Sequence, residues 1–178
     1  MPTIKNKEIL TTTSLFKIEK LDIHFGNNES REYEIISGTG SGAVMVIPIV
    51  DDKVILIKEY AAAINDYCLS FPKGKIDDGE NIIDSANREL QEEIGYKSEK
   101  LSHIYTLDLA PGYINHQTHI ILATDLKPSK LDGDEPEDLE IIECKINNID
   151  DLFLNNKNID SRTIACMYIY SHLHRDND

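Results

Sequence analysis

Apolar and polar side chains alternate along SLFKIEKLDIHF, from Ser14 to Phe25, with the two-residue period of a strand that has one face in water. GNNESRE then predicts a turn and REYEIIS a partner strand, so an antiparallel appendage is expected over roughly residues 10–37. GTGSG, with Gly38, Gly40 and Gly42, follows. It lacks the Lys-Ser/Thr ending of a phosphate-cradling loop and does not lie between a strand and a helix, so it is read as a linker. The boundary is set there: residues 1–40 as the appendage and 41–178 as the main domain.

Beyond it the pattern changes. AVMVIPIV, from Ala43, is almost continuously apolar, as in a strand buried on both faces. A turn at Asp51–Asp52 leads to the β-branched KVILIKEY, and YCLSF is a short third strand ending at Pro72. A helix is predicted from about Ile82 to Ile94. Asn81 is its N-cap, Asp84 answers it as in a capping box, and Gly95 is the stop. Strands are expected at 101–109, 117–125 and in IIECKI, the last after the acidic loop LDGDEPEDLE. Residues 149–156 and 159–174 read as helices, the second carrying Ile164, Tyr168 and Ser171 at helical spacing with Met167 nearby. This order predicts an α/β fold, a mixed sheet sandwiched between helices.

The 178-residue chain is long enough for one well-packed core, and its net charge of −14 argues against a nucleic-acid backbone as partner. Clustered carboxylates reverse that argument for a phosphorylated small molecule, because a bound metal then presents the positive charge. No apolar run is long enough for a membrane span and no secretory signal is evident, so a cytoplasmic protein is expected. Cys68, Cys144 and Cys166 lack metal-type spacing and are expected to be reduced core thiols. His116 and His119, three apart on a strand, point to opposite faces, and His172 and His174 sit near the C-terminus, so zinc is not expected.

In the predicted helix, Ile83, Ala86, Leu90 and Ile94 form an apolar stripe, and Glu89, Glu92 and Glu93 share the adjoining face. Such glutamates repel one another, and two lie in the last turn, where the helix dipole disfavours them. A hard divalent cation with oxygen ligands resolves the conflict.

The surrounding residues, Gly74, Glu80, Arg88-Glu89-Leu90, Glu92-Glu93 and Gly95-Tyr96, match in order and spacing a nine-position pattern that resembles the box of the Nudix hydrolases. The resemblance implies an α/β/α sandwich and cleavage of a diphosphate by Mg²⁺ or Mn²⁺ held by Glu89, Glu92, Glu93 and the Lys73 carbonyl. It also implies an Arg88–Glu80 pair bracing the loop. A base is expected from the acidic loop, Glu137 first and Glu135 second.

Pro111, in LAPGY, and the wider pattern of the chain resemble the branch of the family that acts on ADP-ribose and other ADP compounds. That implies NADH, ADP-ribose and short diadenosine oligophosphates as substrates and AMP among the products. It further implies a homodimer whose N-terminal strands help shape the site, with Arg31, Tyr33, Pro111 and Tyr113 as substrate contacts. Close ADP-ribose enzymes often carry an arginine where this chain has Ala61-Ala62-Ala63, which suits a broader specificity. The alternatives are a strict ADP-ribose pyrophosphatase and a non-catalytic nucleotide sensor, the latter disfavoured by the intact glutamate set.

Overall fold

The computed structural model describes residues 1–38 and 40–173. The His174 reading therefore lies outside the described residues.

The buried-on-both-faces strand is β4 (Ala43–Val50), and its side chains alternate between two cores. Met45 and Ile47 pack with Leu56, Leu69, Phe71, Ile120, Cys166 and Met167, whereas Val44 and Val46 pack with Ile55, Ile57, Ala86, Leu90, Ile94 and Ile121. β4 is flanked by β5 (Lys53–Ala61) and β10 (Gln117–Pro128), and the sheet order is β11-β5-β4-β10-β8. β8 is Tyr96–Asp108 and β11 is Glu140–Lys145. β6 (Asp66–Ser70) adds to β5, and β7 (Lys73–Lys75) adds to β4. β10 runs parallel to β4 and its other neighbours pair antiparallel, so the sheet is mixed. Helix α1 (Ile82–Glu89) covers one face; α2 (Ile149–Asn155) and α3 (Ser161–Leu173) contribute to the other core. This is the expected α/β/α sandwich.

The appendage is larger than its pattern suggests. β1 (Thr3–Thr12), β2 (Phe16–His24) and β3 (Ser30–Gly38) form an antiparallel sheet. Its far edge is β9 (Ile114–Asn115), from the main domain, which runs parallel to β3. Every residue of β1 is exposed, so no burial pattern announces it. β8 begins at Tyr96 rather than residue 101, because β10 continues to Pro128 and pairs with it there.

Two details of packing differ from expectation. The buried residues of α3 are Thr163, Cys166 and Met167, while Ile164 and Tyr168 face outward. Cys144 and Cys166 are buried, but Cys68 is only partly so. Among the described residues no helix is long and apolar enough to cross a membrane.

Candidate active site

Asn81 caps α1 as its sequence predicts: its Oδ1 accepts from Ile83 N at 2.9 Å and Asp84 N at 3.0 Å, an arrangement that stabilises a helix start by about 1 kcal/mol. Asp84 answers with its carboxylate to the Asn81 side-chain amide instead of the backbone. After Glu89 the helix widens into a π turn, Leu90–Ile94, and stops at Gly95, whose φ of 72° lies in the left-handed region. π turns interrupt α-helices often at functional sites. Here the turn carries Glu92 and Glu93.

Glu89 and Glu93 are 6% and 4% exposed, as hidden as core leucines, whereas Glu92 is half-buried. Glu93 Oε2 accepts from the Lys73 amide at 2.8 Å, which ties the helix to β7. Val46 N donates to Pro72 O at 2.8 Å, so Lys73 and Met45 are a pair whose own N–H and C=O both point away from β4. The Lys73 carbonyl therefore leaves β7 on the edge that faces Glu93. Next to it, a Cβ on Gly74 would overlap the Glu89 carboxyl group, so only glycine lets that side chain lie against the strand.

Arg88 organises the remaining acids. It holds Glu80 in a two-pronged pair at 3.1 and 3.0 Å, and donates to the Lys75 carbonyl at 3.0 Å. Its Nη1 reaches Glu89 at 2.7 Å and Glu92 at 2.9 Å. The Arg88–Glu80 pair fixes the loop 76–80 to the helix, and the guanidinium keeps the Glu80 carboxyl below the usual range. Burial acts the opposite way on the two hidden glutamates. It pushes Glu89 up to about 7, against the pull of Arg88, and Glu93 up to about 9, against the pull of Lys73.

The acidic loop is drawn to this face by its anchor. Ser129 N bonds Gly95 O at 2.9 Å, Leu131 N bonds Gln91 O at 3.2 Å, and the Lys130 ammonium caps the Glu92 carbonyl. A cavity of about 450 Å³ results, in which Glu135 and Asp132 join Glu89, Glu92 and Glu93. Glu137 lies in an adjoining cavity and accepts from the Tyr67 hydroxyl at 2.9 Å. The structure thus brings Glu135, not Glu137, into one cavity with all three glutamates. Glu59 lines it as well, paired with the Lys73 ammonium. Sequence reasoning missed Glu59, and its only signal is a carboxylate near the end of an apolar strand.

The expected substrate contacts divide. Tyr33 and Pro111 line a separate cavity of about 500 Å³ with Ile35 and His116, and it shares no lining residue with the carboxylate cavity. Tyr113 is exposed and contributes its backbone carbonyl to Ile36 N at 2.8 Å. Arg31 is paired with Glu29 at 2.8 Å. Ala62 and Ala63 form an exposed turn after β5.

The donor chemistry fits a hard divalent cation: three carboxylates and a strand carbonyl on one edge, two of the acids paying for burial. Among the described residues no three His, Cys, Asp or Glu groups converge closely enough to form a ready cage. Glu89 and Glu92, which would share such an ion with Glu93, each accept from Arg88 Nη1 through one carboxylate oxygen.

Comparison with known proteins agrees with this geometry. A family model described as the NUDIX domain matches residues 41–166, and one described as the NudE-type Nudix hydrolase N-terminal domain matches residues 2–34. The ADP compounds hydrolase NudE of Escherichia coli (strain K12) is 39% identical over 168 residues, 94% of this chain and 90% of that protein. The ADP-sugar pyrophosphatase of Mus musculus is 30% identical, over 82% of this chain and 74% of its own. A crystal structure of an ADP compounds hydrolase superposes with a TM-score of 0.89 at 36% identity, covering 99% of this chain and 95% of that one. The chain belongs to the Nudix family of hydrolases, the family in which divalent metals generally serve catalysis.

Proposed function

We propose that this protein hydrolyses the diphosphate linkage of small ADP-containing compounds (NADH, ADP-ribose and short diadenosine oligophosphates) and releases AMP. The observation that carries the reading is the pair of buried carboxylates, Glu89 and Glu93, set against Gly74 and the free edge of β7 in an otherwise solvent-reached cavity. Glu89, Glu92, Glu93 and the Lys73 carbonyl would hold Mg²⁺ or Mn²⁺, which would supply charge neutralisation on the diphosphate and acidify the attacking water. Arg88 and Glu80 keep the loop and helix in register. Glu135 is the better base by position, since it shares the cavity; Glu137 serves if the loop moves it from Tyr67. Substituting each with glutamine separates them: the true base loses about 10²-fold or more in kcat, and the other changes little.

Arg31, Tyr33, Pro111 and Tyr113 are proposed as contacts to the nucleoside in a homodimer whose N-terminal sheets meet. Support comes from the exposed Ile4, Ile9, Leu10 and Phe16 on that sheet and the cavity beside Tyr33. A cytoplasmic setting belongs to the same reading, and so does the absence of nucleic-acid partners, which the net charge of −14 supports. The alanines after β5 favour broad ADP-compound specificity over a strict ADP-ribose enzyme. AMP release from ADP-ribose, NADH and diadenosine triphosphate with Mg²⁺ tests this. Cleavage of ADP-ribose alone would leave the strict enzyme, and cleavage of none would leave the sensor.

Burial of the two glutamates also sets a pH dependence. In metal-free protein they keep protons that the unfolded chain, with carboxyls near 4.5, has released. Their contribution to stability is full below that value and is lost as pH rises through about 7 for Glu89 and about 9 for Glu93. The melting midpoint of chelated protein is expected to fall across this window. The rise produced by Mg²⁺ should grow across it, because the ion binds the carboxylates. A Mg²⁺ effect independent of pH would place the ion elsewhere.

A further inference from the structure

The carboxylate cavity is lined by three cationic side chains, and two of them are committed: Lys73 to Glu59, and Arg88 to Glu80, Glu89 and Glu92. The third, Lys75, makes no ion pair with any described residue, although carboxylates outnumber cations in the lining. Its ammonium stem lies instead on the glycine linker. A Cβ added to Gly40 would come within 2.6 Å of Lys75 Cε and 3.4 Å of its Nζ. Gly40 in turn lines a second cavity of about 240 Å³ with Ser41, Asn115, His116 and Gln117, whose lining holds no carboxylate. Lys75 thus stands between an acid-lined chamber that suits metal ions and a neutral chamber rich in hydrogen-bonding groups; the two share no lining residue and approach each other where Lys75 lies against Gly40. An anion leaving the first chamber on the Gly40 side would meet this uncommitted cation.

We propose that Lys75, seated on Gly40, binds a phosphate beyond the scissile diphosphate and so favours substrates with a longer phosphate chain. The inference rests on the function proposed above, and it adds a specificity-determining residue to it. A compact ammonium suits this task, since it attracts a phosphate without demanding a fixed planar geometry. The linker's glycine at position 40 has a role in the same device: it leaves room for the lysine stem to lie between the two chambers.

The side chain can be changed without disturbing the fold. Lys75 is exposed, and Arg88 and Ser85 bond its backbone carbonyl, not its side chain. The test compares diadenosine triphosphate with ADP-ribose, which has two phosphates and a neutral sugar beyond them. Wild-type enzyme must cleave ADP-ribose; if it does not, the proposed function fails and the lysine is not at issue. Given that activity, Lys75→Met is expected to raise KM for diadenosine triphosphate by about tenfold with little change in kcat, and to raise KM for ADP-ribose by about twofold or less. Lys75→Arg should recover most of the loss. Gly40→Ala keeps the charge but displaces the flexible end of the lysine, so it should move the two substrates' ratio in the same direction, by less, at an unchanged melting point. Equal effects of Lys75→Met on both substrates, or none on either, would overturn the proposal.

Discussion

Glu93→Gln is expected to lower kcat by about three orders of magnitude, a barrier increase of roughly 4 kcal/mol, while leaving the protein folded. The amide keeps an oxygen where Glu93 Oε2 accepts from the Lys73 amide, so the tie between helix and β7 survives. What disappears is the negative charge. Because burial holds the Glu93 carboxyl up at about 9, the metal-free fold keeps it protonated at a pH where the unfolded chain has released the proton, which costs stability as pH rises toward that value, and a permanently neutral side chain escapes the cost. Metal-free Glu93→Gln should therefore melt no lower than wild type near pH 8, and its midpoint should respond less to Mg²⁺. Steady-state turnover and calorimetry on the same sample check both halves. A variant that is inactive because it is unfolded would show the carboxylate to be structural.

Gly74→Ala is the second large effect. The new methyl group would occupy the space of the Glu89 carboxyl, so either that side chain rotates away or β7 moves from the helix. Overpacking of this kind costs about 1–3 kcal/mol, which in a chain of this size lowers the melting midpoint by roughly 2–12 °C. The loss of activity should be larger in proportion. A displacement of about 1 Å at a reacting centre is enough for about a hundredfold loss. Glu89→Gln in the same background should then add little, since the carboxylate has already left its place. Wild-type turnover in Gly74→Ala would mean that Glu89 has no positional role.

Much of this site is legible in the sequence because it is local. Caps, the apolar stripe and the glutamates all lie within residues 74–96, and helical geometry alone brings them to neighbouring faces. The two-faced strand is readable for a similar reason, as near-continuous apolar sequence has few other uses in a folded domain. What escapes is set by partners distant in the chain. β1 buries nothing and, among the described strands, pairs with β2 alone, so its residues carry no periodic signal. β9 is two residues recruited by β3. The outward face of Ile164 and Tyr168 follows from which side of α3 meets the sheet, which helical spacing alone does not decide. Which of Glu135 and Glu137 shares a cavity with all three glutamates is likewise a matter of where a loop lies, and Ser129 to Leu131 anchor that loop by bonding to the end of the helix. Glu59 and Lys75 enter the site from β5 and β7, outside the helix that carries the glutamates.

The most direct test is a titration of Mn²⁺ into metal-free protein, followed by the paramagnetic signal of the free ion, for wild type and Glu93→Gln side by side. Wild type should take up the ion with an affinity that increases from about pH 6 to pH 9, as burial-suppressed carboxyls ionise, and the variant should bind at least about tenfold more weakly. Equal binding by the two proteins, or tight binding by neither alongside full cleavage of ADP-ribose in chelator, would contradict the assignment of the glutamate face as the seat of the ion.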